Sequence, residues 1–156
     1  MPALAVADAL RAEGADVVFV GGQRAEARLV PAAGYEFKPL VVKPFPRDGR
    51  RVSGAARAAL TDAGALRRAL AVLSELGASA VLGAGGYVAG PTGLAAVLRR
   101  TPLVLMEADS HLGLTNRLLA PFARRICLAF PIEGRNGARY RVYGRPVPAP
   151  ARSWLP

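Results

Sequence analysis

One cysteine and one histidine occur in 156 residues, and each scarcity removes a class of chemistry. Cys127, inside the apolar run ICLAF, has no partner for a disulfide and no companion for a Cys-x-x-Cys metal site, which suits a reducing setting. His111 alone offers no ligand set for a metal ion. Lysine is reduced to Lys38 and Lys43, and no Gly-Lys-Ser/Thr triplet is present, which argues against a P-loop ATPase. Aromatic residues make up 6% of the chain, few for a protein that stacks on nucleic-acid bases. No apolar run approaches the roughly 18 residues that cross a bilayer, and the start lacks the charged-then-apolar layout of a signal peptide. Any membrane contact is therefore expected to be peripheral.

Apolar residues and positive charge are what the chain has in quantity. With 52% hydrophobic residues it can bury one sizeable core, so one domain is expected. Lys and Arg number 21 against 11 Asp and Glu, a net charge of +10. Because nearly all of the positive residues are arginine, the excess suits phosphates or an anionic surface. A GC-rich coding bias would inflate Arg, Ala and Gly just as well, so charge alone does not choose a partner.

MPALAVADALRAEG reads as a helix: Pro2 suits a first turn, Leu4, Ala7 and Leu10 recur at helical spacing, and Gly14 is placed to end it. The continuous apolar run ADVVFVGG, 15–22, is what a strand of a parallel sheet covered on both faces requires. A short helix over 24–33 and a strand over 35–42 follow. The loop KPFPRDGRRVS then carries two prolines and clustered positive charge. An amphipathic helix is expected over 61–77, capped by Thr61 or Asp62, with Leu66, Leu70, Leu73 and Leu76 on one face. Beyond it come a strand at 79–83, a helix at 91–100, a strand at 101–109, a helix at 113–125, the ICLAF strand, and a last strand at 139–144 before the Pro-rich tail. Alternation at this spacing predicts an α/β fold, a Rossmann-like parallel sheet with right-handed crossovers and helices on both faces. The series opens on a helix, whereas a doubly wound sheet opens on a central strand whose glycine-rich turn supplies phosphate-binding amides. Either the fold begins differently or the sequence begins inside a domain.

VLGAGGYVAGPTGLAA, 81–96, joins a strand to a helix through Gly85 and Gly86. Adjacent glycines let the backbone approach a ligand closely, and the helix beginning near Pro91 offers free N–H groups and a partial positive charge, which hold an anion without lysine. Tight packing of strand on helix accounts for the same glycines, and the spacing misses the GxGxxG dinucleotide pattern. EADSHLGLTNRLLA, 107–120, follows the next strand at its carboxyl end, where open α/β sheets bind ligands. Glu107, Asp109, Ser110, His111, Thr115 and Asn116 crowd ten positions there. Helix capping by Asp109, Ser110 or Thr115 is the plainer alternative. Acid–base work and an idle place in solvent are both open to His111, the sole histidine.

Taken together, MPALAVADAL, GAGGYVAGPTGLAA, EADSHLGLTNRLLA and YGRPV, in this order and at these spacings, resemble the amino-terminal domain of the MurG family over nearly the whole chain. Those glycosyltransferases move N-acetylglucosamine from UDP-N-acetylglucosamine (UDP-GlcNAc) to lipid I, the undecaprenyl-linked precursor of peptidoglycan. The resemblance implies the first half of a GT-B fold, with residues 1–145 as the acceptor-side domain and 146–156 as a tail or the start of an interdomain linker. It implies that Gly85, Gly86 and Tyr87 line the acceptor side and hold its pyrophosphate with amides and helix dipole. Glu107, Thr115 and Asn116 would lie in the cleft between donor and acceptor, and Asp109 would face the donor. No cofactor, metal or nucleic acid is implied. The family's His-Glu-Gln-Asn is altered, Met106 standing for His, Ala108 for Gln and Asp109 for Asn, and Arg145 replaces an Asn near the end. A carboxylate at 109 repels a nucleotide diphosphate, so weaker donor binding or altered specificity is expected.

Family members carry a strand and a glycine-rich loop upstream of the PALAVA helix, with a histidine considered for activating the acceptor hydroxyl, and continue into a second Rossmann-like domain that holds most of the UDP-sugar. By this resemblance the first strand is missing, the chain is about half an enzyme, no catalytic residue is assigned, and turnover by it alone is not expected. Strands at 15–22 and 79–83 would have unpaired edges, so the isolated chain is expected to be insoluble or molten. Over 43–68, seven positive side chains face two carboxylates. Phe45 with Arg47, Arg50, Arg51, Arg67 and Arg68 is expected to meet the anionic cytoplasmic face of the bacterial inner membrane, at about 1 kcal/mol per basic residue. A solvated loop and helix face is the alternative. Three classes of function remain: a peripheral-membrane glycosyltransferase domain, a noncatalytic subunit whose partner supplies the donor domain in trans, and a basic nucleic-acid-binding module, for which no DNA or RNA motif speaks.

Overall fold

The computed structural model describes residues 2–42 and 63–147. Phe45, Arg47, Arg50 and Arg51, the capping candidates Thr61 and Asp62, and the tail from Pro148 lie outside the described residues. The chain runs α1 (Pro2–Ala12), β1 (Val18–Gly21), α2 (Glu26–Ala32), β2 (Glu36–Pro39), α3 (Ala63–Glu75) and β3 (Val81–Gly83). It continues with α4 (Ala89–Leu98), β4 (Leu103–Glu107), α5 (Leu114–Leu119) closing in a 3-10 turn (Ala120–Phe122), β5 (Arg125–Leu128) and β6 (Tyr140–Val142). Every described strand pair is parallel, so the expected α/β architecture is what forms.

The strands fall into two sheets, β1-β2 and β3-β4-β5-β6. β1 and β3 therefore each have one described strand neighbour. The two sheets still share one core. Val20 of β1 packs against a cluster that includes Leu40, Val42, Val81, Leu105 and Ile126. A smaller core lies under α1, where Ala7, Val30 and Tyr35 are buried. There the Tyr35 hydroxyl donates to Asp8 Oδ1 at 2.6 Å, and burial, followed by that hydrogen bond, raises the phenol above its ordinary pKa.

Element boundaries differ from the sequence expectation for identifiable reasons. The helix expected at 91–100 starts at Ala89, with Pro91 in the first turn, where the N–H that proline lacks would have had no helical partner. The helix expected over 113–125 stops at Leu119, because Pro121 has no N–H to continue the ladder, and the chain tightens into the 3-10 turn. In α3 the buried residues are Ala65, Ala69 and Leu73, while Leu66 and Leu70 are only partly covered. The small alanines let α3 lie close on α4.

Helices α1 to α4 end alike. At α1, Gly14 N–H donates to Arg11 O at 2.9 Å and Ala15 N–H to Leu10 O at 3.0 Å, the paired bonds of a Schellman motif. Gly34 and Gly77, both at positive φ, close α2 and α3 in the same way. At α4 the bonds are Arg100 N–H to Val97 O at 3.0 Å and Thr101 N–H to Ala96 O at 2.9 Å, but the left-handed residue is Arg100, at φ 58°. A Cβ in that region costs about 1 kcal/mol. Arg100→Gly should therefore raise the thermal midpoint by roughly 2–4 °C, and a midpoint that falls would contradict this account of the cap.

Candidate functional site

Three turns meet at the carboxyl ends of the strands. The first leaves β1 through Gly21 and Gly22, and Gly22 N–H donates to Glu26 Oε1 at 3.2 Å. A Cβ on Gly22 would stand 3.2 Å from the Tyr87 hydroxyl oxygen and 3.3 Å from Val88 Cγ2, so the bare backbone is what lets this turn press against the next one. Arg24, on the same turn, places its guanidinium carbon 5.5 Å from the centroid of the Tyr87 ring.

The second turn leaves β3. Gly85 and Gly86 adopt φ of 84° and 79° in succession, a conformation that L side chains avoid. Neither donates its N–H to another described residue. Successive free amides of this kind form a concavity that favours anions. Half-buried Tyr87 leads into α4, whose first turn is fixed by the Thr92 hydroxyl donating to Val88 O at 3.2 Å.

The third turn is built around a carboxylate. Glu107, the last residue of β4, is buried, and its Oε2 accepts Gly113 N–H at 2.8 Å and Asn116 Nδ2 at 3.0 Å. Its Oε1 accepts Asp109 N–H at 3.3 Å. These donors stand in for the water a buried charge would lose. Asn116 Nδ2 also donates to Met106 O at 3.0 Å, which ties α5 back to β4. Gly113, which precedes α5, makes no side-chain cap of its own; its N–H is satisfied from the strand by Glu107. Asn116 is 1% exposed, and its Oδ1 has no hydrogen-bond partner among the described residues. Burial raises the Cys127 thiol above its ordinary pKa, against the opposing pull of Arg125, which makes it a poor nucleophile at neutral pH. Among the described residues no three His, Cys, Asp or Glu side chains are grouped to hold a metal.

The model of the glycosyltransferase family 28 N-terminal domain matches residues 1–128. The chain belongs to that family. Among curated relatives, the UDP-N-acetylglucosamine--N-acetylmuramyl-(pentapeptide) pyrophosphoryl-undecaprenol N-acetylglucosamine transferase of Acidithiobacillus ferrooxidans is 44% identical over 147 residues, which is 94% of this chain and 40% of that protein. The transferase of the same name from Alkalilimnicola ehrlichii is 47% identical over 131 residues, covering 83% of this chain and 36% of the relative. The crystal structure of Acinetobacter baumannii MurG superimposes with a TM-score of 0.74 at 29% identity, over 92% of this chain and 40% of the other. The chain thus spans well under half the length of the relatives it matches, and the resemblance to MurG read from the sequence is borne out.

Within this family 28 domain, the residues singled out from sequence occupy two levels. Gly85, Gly86 and Tyr87 reach the surface, as do Asp109, Ser110 and His111 on the loop after β4. Glu107, Thr115 and Asn116 lie beneath, at 9% exposure or less. Met106, which the resemblance set against a His, is buried and contributes its carbonyl. Sequence reasoning passed over Gly22 and Arg24, although the Gly-Gly pair ending a strand there repeats the pattern of 85–86. It also passed over a groove of about 510 Å³ at the amino ends of the strands, lined by Val97, Arg100, Phe122, Arg124 and Arg139 among others.

Glu107→Ala removes the acceptor for the Gly113 and Asp109 amides and should lower stability by about 2–4 kcal/mol, read as an earlier midpoint in urea. A change below about 0.5 kcal/mol would show that the carboxylate does not hold the loop.

Proposed function

We propose that this chain is the acceptor-binding domain of a peripheral-membrane glycosyltransferase that moves N-acetylglucosamine from UDP-GlcNAc to undecaprenyl-linked lipid I in peptidoglycan synthesis, the donor half being supplied by a further domain. The observation that carries this reading is the Gly85-Gly86 turn at the carboxyl edge of the sheet, with neither N–H bonded to another described residue, in a chain 44% identical to a transferase of that specificity by name. A diphosphate has acceptor oxygens only, so two amides and the positive amino end of α4 attract it without lysine. Glu107 and Asn116 act from below, holding the loop at 108–113 that forms the other wall. Asp109 is exposed on that loop, and a carboxylate facing the donor would weaken binding of the nucleotide diphosphate.

Attachment to the cytoplasmic leaflet is part of the same reading, because the acceptor is lipid-linked. Arg67 and Arg68 are exposed on α3, with Arg68 Nη2 donating to Val41 O at 3.0 Å. The basic groove of Arg100, Arg124 and Arg139 is also lined by Val97 and by Phe122, which is 61% exposed. Apolar side chains ringed by arginine suit an anionic interface. No described helix is long and apolar enough to cross a membrane.

Residues 2–147 grafted in place of the matching segment of the Acidithiobacillus transferase should support transfer to a soluble lipid I analogue. In that graft Tyr87→Ala should lower kcat/KM about 100-fold, close to 2.7 kcal/mol, while the protein still melts cooperatively. A stable graft that transfers nothing, or one in which Tyr87→Ala is neutral, overturns the assignment.

A further inference from the structure

The turn after β3 contains no lysine, yet a cation stands across it. Arg24 is exposed, and among the described residues the ion pairs found involve Lys38 with Glu36 and Glu75, not Arg24. The carboxylate nearest in its own turn, Glu26, is engaged by Gly22 N–H. The Arg24 guanidinium lies over Tyr87, which follows directly on the two glycines whose amides are free. Stacking on an aromatic face holds a guanidinium through its π surface and leaves the N–H groups at its edge available, in the planar fork that matches two phosphate oxygens. A second observation points to the same place. Asn116 Nδ2 lies 3.9 Å from where a Gly85 Cβ would stand, and the Oδ1 of that amide is buried without a donor. An acceptor left without a described donor under the glycine turn suits a ligand whose hydrogen-bond donor lies beyond its diphosphate, such as a sugar hydroxyl, since the diphosphate itself carries acceptors only.

We propose that Arg24 is an anion-binding residue of this cleft: its guanidinium, positioned by the Tyr87 ring, and the Gly85 and Gly86 amides together take one pyrophosphate group. This deepens the acceptor reading and rests on it, since that acceptor bears such a group. The two turns then form a single site, brought into contact by the missing side chain at Gly22. Tyr87 is a positioning residue in it, and Arg24 supplies the charge.

Equilibrium dialysis of the chain against inorganic pyrophosphate tests the assignment, with hydrogen exchange at residues 84–88 read by mass spectrometry to locate the ligand. Arg24→Gln should weaken binding at least tenfold, Arg24→Lys should restore part of the loss, and Arg28→Gln, which removes an exposed arginine on α2, should change nothing. Exchange at 84–88 should slow with pyrophosphate in the unaltered chain and not in Arg24→Gln. Equal affinity in Arg24→Gln, or an equal loss in Arg28→Gln, overturns the proposal. A soluble lipid I analogue separates it from the acceptor reading. Protection at 84–88 by pyrophosphate but not by the analogue keeps Arg24 and removes lipid I as ligand. Protection by the analogue that is undiminished in Arg24→Gln removes Arg24 and keeps the acceptor assignment.

Discussion

A parallel sheet delivers the carboxyl end of each strand, and the amino end of each following helix, to one edge. That constraint brings three turns together here. The turns after β1, β3 and β4 are separated by whole helices and strands in sequence, yet Gly22 meets Tyr87, 65 positions later, and Gly85 stands next to Asn116, 31 positions later. Free backbone amides gather at that edge because the helices beginning there have no earlier turn to bond to. The chemistry of the site follows from the direction of the strands before any particular side chain is considered.

Within that frame one carboxylate has an organising role out of proportion to its size. Glu107 ends β4, caps α5 through Gly113, pins the loop at Asp109 and orients Asn116. A buried charge with three N–H donors has little freedom to relocate, because each donor lost exposes it to an apolar surrounding. The loop carrying Asp109, Ser110 and His111 is thereby fixed at both ends while its tip stays in solvent. This division explains how a stretch so rich in polar residues serves both as support and as surface. It also separates Asp109 and His111, free to meet a ligand, from Thr115 and Asn116, which shape the ground beneath one.

Much of this was legible in the sequence. Continuous apolar runs between helical stretches give parallel strands because both faces must be covered, and the glycine pair at 85–86 stood out at the end of one of them. What stayed hidden depends on contacts across the fold. Leu66 and Leu70 looked like the buried stripe of α3, but Ala65 and Ala69 take the closest contact, since small residues let helices approach. Glu107 reads from sequence like any cleft carboxylate, and only its three donors show it working from inside. Arg24 looks like one arginine among many until its ring partner, 63 positions later, is placed over it. The cap at Arg100 escaped for a simpler reason, as nothing in the residue type announces a left-handed backbone.

The account rests on free main-chain amides holding an anionic headgroup. Replacing the Gly86 N–H by an ester oxygen through semisynthesis removes one donor without disturbing the left-handed backbone or any side chain. Affinity for a soluble lipid I analogue should then fall about tenfold, the equivalent of one charge-assisted hydrogen bond at roughly 1.5 kcal/mol. Affinity equal to that of the unmodified chain would contradict the account at its base.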